Sequence, residues 1–453
     1  ALVNFVSHTV VIGFTAGAAI LIATSQMKHI LGIEIPKGES FLHTWIDIFS
    51  EIGSSNFYLI GIALATLLTA LAIKKFTPKI PNLLVGMVVG SFIAYAFKDS
   101  GAGIALIGEI PGQLPPLSSP DFSLDTIKQL APEAFAIALL GLIEAVSISR
   151  AVATKSNQRI NSNQEFIGQG MSNIFGSFFS SYAGSGSFTR SGINYASGAK
   201  TPMSAIFAAM FLLIIILLIA PLTAYLPVAS MGGVILLVAY NLIDIHHIKM
   251  IIKNSGSETA ILLTTFLSTL FLELEFAIYM GVLISLVFYL RKTSIPEIPT
   301  LSVNVDPGTD RRCFIDIQEK PLKQCPQLKI IRIDRSIYFG SINYIQERIS
   351  HIVENEQIYH IMIDASRINF IDLAGAEGLI SENKILKSHG GGLYFVGIKS
   401  SVYEFAAKSS FIRKIGSDHF YDSKSHAIAS IYKKLDKDIC AKCPAQIFTE
   451  CNA

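Results

Sequence analysis

Long apolar segments alternate with short polar ones through the first two thirds of the chain. A helix needs about 20 apolar residues to cross a bilayer, and about ten segments approach that length. Two of them, 166–182 and 186–198, are short or interrupted by Gly and Ser, which is typical of the broken helices around a transporter binding site. The pattern predicts a mainly α-helical, multi-pass membrane domain over residues 1–292, with segments at 9–27, 57–73, 81–97, 133–153, 166–182, 186–198, 203–220, 226–241, 258–274 and 276–290.

The pattern changes after residue 292. Residues 293–312 contain Pro296 and Pro299 and are interpreted as a linker. Residues 313–436 show short apolar strands that alternate with amphipathic helices, which predicts a sheet covered by helices. Residues 437–453 form a Cys-containing tail. We therefore expect a small α/β domain after the membrane domain, with strands at 328–333, 360–364 and 393–397, another ending at 336–340, and helices at 341–352 and 376–387.

Composition and loop charge support this interpretation. Of 453 residues, 51% are hydrophobic and 15% are charged, which is too apolar for an ordinary soluble protein. Lys and Arg concentrate in alternate loops, for example at Lys74, Arg150 and Arg291, and the positive-inside rule makes those loops cytoplasmic. We expect an integral, multi-pass protein of a bacterial inner membrane, embedded in the lipid bilayer, with its C-terminal domain in the cytoplasm.

The candidate chemistry centres on residues 183–194, here called the Gly/Ser stretch, which lies between apolar segments but carries hydroxyls and Arg190. Irregular backbone is tolerated at membrane depth only where it is buried in protein or lines a wet cavity. A short helix beginning near Phe188 would direct its free N–H groups and positive dipole end into that cavity, and Arg190 would add a fixed positive charge. The alternative is a plain loop or tight helix crossing with a snorkelling Arg. We favour an anion site that includes Ser187, Phe188, Thr189 and Arg190.

Segment 133–153 carries Glu144 near its middle. A carboxylate at that depth costs several kcal/mol unless it faces a cavity or a partner. It is therefore a candidate carrier of a coupling ion, either H⁺ or Na⁺, and Ser147 follows one turn later on the same face. The structural alternative is an ion pair between Glu144 and Arg190.

All five cysteines lie in the last third of the chain, so no secreted disulfide framework is indicated. Cys440 and Cys443 form a CxxC motif, and Cys451 follows. Such thiols can bind zinc or take part in redox chemistry, but a fourth ligand is not evident. These three are weak metal candidates, as are His246 and His247 in a loop with Asp244, and no metal is assigned.

Three motifs carry a family resemblance: residues 4–15 (NFVSHTVVIGFT), residues 141–145 (GLIEA) and residues 187–191 (SFTRS). They resemble the sulfate permease (SulP) family of anion transporters. The C-terminal part resembles the STAS domain that this family carries, through residues 363–366 and 369–376, although Ala374 stands where related anti-sigma factor antagonists have a phosphorylated Ser.

The resemblance implies a fold of fourteen membrane segments in two inverted repeats of seven. The solute then lies between two half-helices, Thr189 and Arg190 face the anion, and Glu144 is the acidic group of a neighbouring helix. The segments here correspond to the last ten, so we expect the sequence to be a fragment that lacks the first four. A homodimer is the family habit.

Together these features predict secondary active transport of a small inorganic anion, most simply sulfate or bicarbonate, coupled to H⁺ or Na⁺. The alternative is an uncoupled anion channel, or a non-transporting membrane protein with a regulatory STAS domain. The sequence contains no GxxxxGK[ST], HExxH or GxSxG motif, so we expect neither an ATP-driven pump nor an enzyme. We also expect no cofactor and no nucleic-acid partner. The sequence does not choose among the anions.

Overall fold

The computed structural model describes residues 7–36, 40–77, 80–97, 103–108, 112–305 and 312–452. Within its elements, the side chains of residues 147, 151, 154–155, 188–189, 196, 274–275 and 452 lie outside that description. The chain divides into two compact units, Ala1–Leu286 and Val287–Ala453. Each unit is described separately.

Helices build the first unit. Those in the described residues are α1 (His8–Leu31), α2 (Phe41–Glu51), α3 (Phe57–Phe76), α4 (Asn82–Ala96), α5 (Leu124–Ser156), α6 (Ser162–Ser177), α7 (Phe188–Ala196), α8 (Met203–Ile219), α9 (Val228–Leu242), α10 (Ile245–Asn254), α11 (Gly256–Phe271) and α12 (Leu274–Ser294), which continues into the second unit. Six stretches in the described part are long and apolar enough to cross a membrane: His8–Leu31, Phe57–Phe76, Leu124–Arg150, Met203–Tyr225, Val228–Asn254 and Phe276–Ser294. Helix α8 is exposed at every residue except half-buried Ser204, as expected of a uniformly apolar helix that faces lipid.

Small residues let the helices of this unit approach closely. Thr66 on α3 donates a buried hydrogen bond to Ser230 on α9, at 3.0 Å. Gly90 on α4 lies directly against this pair, so that a Cβ at this position would overlap both hydroxyl oxygens. On the other side of the unit, a Cβ at Gly17 of α1 would lie 2.6 Å from the Cβ of Thr269 on α11. These contacts are typical of membrane helices, which associate through small residues.

Two helices, α2 and α10, were not predicted from the apolar segments. Helix α2 begins after Ser40, whose hydroxyl accepts a hydrogen bond from the His43 N–H. Helix α10 begins after Asp244, whose carboxylate accepts one from the His247 N–H at 3.0 Å. Both are short and are specified by their N-caps rather than by a long apolar run. The prediction that His246 and His247 lie in a loop was therefore wrong, because both lie on α10.

A parallel sheet forms the centre of the second unit. Its order is β3-β4-β5-β6, and an antiparallel pair, β1-β2, forms a separate sheet. Alternate residues of one strand enter two different cores: Ile361 and Ile363 join one, and Met362 joins the other. Helices must therefore cover both faces, as in other α/β domains. The described elements are β1 (Leu301–Val305), β2 (Arg312–Asp316), β3 (Leu328–Arg332), α13 (Ile342–His351), β4 (His360–Asp364), α14 (Leu373–Ser388), β5 (Gly392–Val396), α15 (Ser400–Lys408), α16 (Phe411–Ile415), β6 (Phe420–Tyr421), α17 (Lys424–Tyr432) and α18 (Lys437–Ala441).

Local pattern predicted the elements of this unit unevenly. The strand predicted at 360–364 is β4, with the same bounds. The strand predicted to end at 336–340 is reduced to a single bridge between Ile337 and Ile371, because the chain turns at Tyr338, whose N–H donates to Ser341 at the start of α13. The segment interpreted as a linker, 293–312, contains strand β1, which pairs with β2 and buries Leu301.

Candidate functional site

An irregular segment separates α6 from α7, and neighbouring helices satisfy its backbone. The Gly184 N–H donates to the Asn173 side-chain oxygen at 2.8 Å, and the Gly184 carbonyl accepts from the Asn173 amide at 3.0 Å. The Ser185 hydroxyl donates to the Gly141 carbonyl of α5 at 2.7 Å. Non-helical backbone needs such replacement partners at membrane depth. Contacts with α5 and α6 therefore hold this break in place.

Helix α7 begins directly after the break. Ser187 has extended backbone and is its N-cap, with a hydroxyl that accepts a hydrogen bond from the Arg190 N–H at 3.3 Å. The predicted helix start near Phe188 is confirmed. The first-turn N–H groups of a helix have no intrahelical acceptor, and they carry the positive end of its dipole.

A cavity of about 550 Å³ lies at this N-terminus. Gly186 and Ser187 form part of its wall, and partly buried Glu144 enters from α5. The Glu144 carboxylate lies next to the Ser185 hydroxyl. The positive end of α7 and a carboxylate thus meet in one space. The remaining wall consists of Leu140 of α5, of His8, Val11, Ile12 and Thr15 of α1, and of residues 241–245, which run from the end of α9 to the start of α10.

The predicted site residues are distributed unequally around this cavity. Glu144 and Ser187 both line it, whereas the Arg190 side chain is exposed and does not. Within the described part of the chain, Arg190 forms no ion pair, so the alternative of a structural Glu144–Arg190 pair does not hold there. Phe188 and Thr189 supply backbone to the first turn of α7, but their side chains lie outside the described structure, as does that of Ser147.

Two ionisable residues of the cavity wall were not predicted to lie there: His8, and Asp244, which was considered only beside His246 and His247 as a weak metal candidate. The Asp244 carboxylate contacts His247 Nδ1 at 2.6 Å, and the rings of His8 and His247 meet edge to face at 5.7 Å between centroids. The sequence signal for these residues is weak. Asp244 stands three residues before His247 at a helix start, and His8 stands at the start of an apolar segment. The two segments are far apart in the chain, so this signal alone does not place the residues in one cavity.

No resident metal centre was found in the described residues: no group of three or more His, Cys, Asp or Glu is arranged to hold an ion. Cys440, Cys443 and Cys451 are all free thiols. At the start of α14, the Asp372 carboxylate accepts hydrogen bonds from the Gly375 N–H at 2.7 Å and from the Phe339 N–H at 2.9 Å. This carboxylate is therefore the N-cap of α14.

Comparison with known proteins identifies the family to which the chain belongs. Residues 1–265 match the sulfate permease family and residues 319–427 match the STAS domain. The chain belongs to the sulfate permease family and carries a C-terminal STAS domain.

Several curated relatives match along most of the chain. They include YvdB of Bacillus subtilis (28% identical, covering 93% of this chain and 78% of YvdB). High affinity sulfate transporter 2 of Stylosanthes hamata is 28% identical, over 95% of this chain and 68% of that transporter. Chloroplastic sulfate transporter 4.1 of Arabidopsis thaliana is 28% identical, over 93% of this chain and 63% of that transporter. The chain thus spans only part of the length of each relative.

Solved structures share the fold. Murine Slc26a9, an anion transporter in the inward-facing state, superposes with a TM-score of 0.85 at 22% identity, over 94% of this chain and 71% of that one. The transmembrane domain of the cyanobacterial bicarbonate transporter BicA gives a TM-score of 0.51 at 27% identity, over 63% of this chain and 69% of that one. The first match supports the architecture of both units: a mostly helical transmembrane domain followed by a small α/β domain.

Proposed function

We propose that this protein moves a small inorganic anion across the membrane by secondary active transport. The observation that carries the proposal is the convergence of the α7 N-terminus, at Ser187, with the Glu144 carboxylate in one cavity. Sulfate or bicarbonate is the proposed substrate, since relatives are named for the first and a structural neighbour for the second.

The anion binds, in this proposal, at the first turn of α7. The free N–H groups of Phe188 and Thr189 face it as donors, and the dipole end contributes about half a positive charge. Arg190 acts from outside the cavity wall, where its exposed guanidinium raises the local positive potential and draws the anion toward the site.

Coupling is assigned to Glu144, with Ser147 as a second candidate ligand on the same helix. A carboxylate that faces a wet cavity can take up a proton or hold Na⁺, and either ion would neutralise the wall that the anion approaches. The protein is further proposed to act as a homodimer in a bacterial inner membrane, with its STAS domain in the cytoplasm.

Uptake into proteoliposomes tests the anion site. Labelled sulfate and labelled bicarbonate are each supplied under an imposed ion gradient, to wild type and to Arg190→Ala. Loss of one nearby charge should weaken apparent affinity about five- to tenfold, or about 1–1.4 kcal/mol. Arg159→Ala is the matched control, because Arg159 is also exposed but lies in the loop before α6.

Three results would count against the proposal. Equal affinity in wild type and Arg190→Ala would contradict the contribution of Arg190 to the α7 site. Absence of saturable uptake of any small oxyanion would contradict the proposal that the protein is a transporter. An electrical current without gradient-driven accumulation would support the channel alternative instead.

A further inference from the structure

The Cys-containing tail is packed onto the second unit through Gln327. The Gln327 side-chain oxygen accepts from the Asp436 N–H at 2.9 Å, and its amide nitrogen contacts the Asp436 carbonyl at 3.0 Å and Cys440 Sγ at 3.3 Å. Farther along, Phe448 is only 2% exposed and joins the core formed by Leu328 and Met362. The segment after α17 is therefore an integral part of the fold.

This packing gathers the thiols that are separate in the sequence. Cys325, three residues before the start of β3, is buried in the same core against which Cys440 and Cys451 pack. Cys443 follows Cys440 by one turn and is partly exposed. Cys313 lies apart on β2 and is exposed. The fourth thiol that the sequence did not reveal is thus Cys325, which lies more than a hundred residues before the CxxC motif.

The gathered thiols favour disulfide chemistry over metal binding. In the described part of the chain no Cys group has the geometry of a metal site. Within the CxxC motif, however, the Cys443 N–H donates to the Cys440 carbonyl at 3.2 Å. Such a turn keeps its first and last Cα atoms within about 7 Å, and a disulfide spans about 4.4–6.8 Å between Cα atoms. Cys440 and Cys443 can therefore be joined without unfolding α18.

We propose that Cys440 and Cys443 form a reversible dithiol–disulfide pair that exchanges with a small disulfide such as oxidised glutathione. The Cys443 thiolate attacks one sulfur of glutathione disulfide, which forms a mixed disulfide and releases the first glutathione thiolate. Cys440 then attacks the Cys443 sulfur, which closes the protein disulfide and releases the second. The two cysteine protons end on the two released glutathiones, so that the protein dithiol is oxidised and glutathione disulfide is reduced.

The contacts of the two cysteines indicate which of them reacts first. Cys440 packs against the core and its Sγ contacts the Gln327 amide, so we assign Cys440 as the second thiol to react. The Gln327 amide, which already contacts Cys440 Sγ, stabilises the negative charge that develops there in the second step. Exchange should accordingly accelerate as the pH rises.

The experiment uses the intact protein in detergent, equilibrated with mixtures of reduced and oxidised glutathione and then blocked with an alkylating reagent. Trypsin cleaves after Lys442, between the two cysteines, so a Cys440–Cys443 disulfide leaves two peptides linked in a non-reducing digest. The second peptide also contains Cys451, so the digest is repeated on Cys451→Ser, in which a Cys440–Cys443 link must persist. The linked species should increase with the proportion of oxidised glutathione and disappear on return to reduced glutathione. Cys313→Ser is the matched control and should give the same linkage, whereas Cys440→Ser should stop at a glutathione adduct on Cys443.

Other outcomes overturn the proposal. Thiols that stay alkylatable throughout would exclude the pair, and a link from Cys440 to Cys325 or Cys451 would replace it. If thiols become reactive only after a chelator is added, the group is a metal site instead.

Discussion

The replacement of Glu144 by Gln tests the coupling role directly. Glu144 is partly buried, lines the α7 cavity and has the Ser185 hydroxyl beside it. The Gln side chain keeps the size and the hydrogen-bonding capacity but can neither bind a proton nor hold Na⁺. One proton carried with each anion converts a gradient of one pH unit into about 1.4 kcal/mol, which corresponds to about tenfold accumulation. A tenfold Na⁺ gradient supplies the same driving force, so the prediction holds for either ion.

The assay measures the steady-state ratio of labelled sulfate or bicarbonate across proteoliposomes, with a pH gradient or a Na⁺ gradient imposed separately. Wild type should concentrate the anion about tenfold under one of the two gradients, and Glu144→Gln should only equilibrate it. Glu133→Gln is the matched control, since Glu133 is an exposed carboxylate on the same helix. Undiminished accumulation by Glu144→Gln under both gradients would refute the coupling role, while leaving the anion site intact.

Three further predictions concern stability. Gly90→Ala should destabilise the detergent-purified protein by about 1–3 kcal/mol through overpacking against the buried hydroxyl pair, seen as a lower thermal midpoint, whereas Gly61→Ala, with no atom within 4 Å of the new Cβ, should not. Asp372→Ala removes the cap of α14 at a cost of about 1–2 kcal/mol, which should speed hydrogen exchange of its first turn about tenfold; unchanged exchange would contradict the cap. Burial lowers the pKa of His419, so the stability it contributes is present above its unfolded pKa of about 6.5 and is lost as the pH falls through the folded value. Hydrogen exchange of β5, corrected for intrinsic rates, should therefore quicken as the pH falls below about 6.5, and less so in His419→Gln.

Local sequence pattern predicted the structural features that depend on residues close together in the chain. The strand at 360–364 was predicted with its observed bounds, because a continuous apolar run between polar residues has little alternative in a parallel sheet. The start of α7 was readable because Ser187 is a strong N-cap that follows a glycine-rich break. Helices α2 and α10 were not predicted, since their caps are single polar residues that carry little weight beside long apolar segments.

Features that depend on distant parts of the chain were not predictable in this way. The cavity wall combines α1, α5, the Gly/Ser stretch and the α9–α10 junction, and no local pattern shows that His8 and Asp244 face the same space. Cys325 joins the Cys440 neighbourhood only because β3 packs beside the C-terminal segment. The exposed position of Arg190 likewise follows from how α7 is rotated in the fold, which its nine residues do not specify alone.

The charges around the cavity give a physical reason to prefer coupled transport to free diffusion of an anion. Two carboxylates, Glu144 and Asp244, line the wall, whereas the α7 N-terminus offers only about half a positive charge. Asp244 is already paired with His247, but Glu144 has no cationic partner in the described part of the chain. Two unlike charges at 4 Å attract by about 4 kcal/mol at an effective dielectric constant of 20, and two like charges repel by the same amount. The repulsion between an anion and ionised Glu144 would therefore exceed the attraction between that anion and the α7 N-terminus. In the proposed mechanism, neutralisation of Glu144 by H⁺ or Na⁺ would remove that penalty. Loading of the cation and loading of the anion would then favour each other, which is the thermodynamic requirement of a symporter.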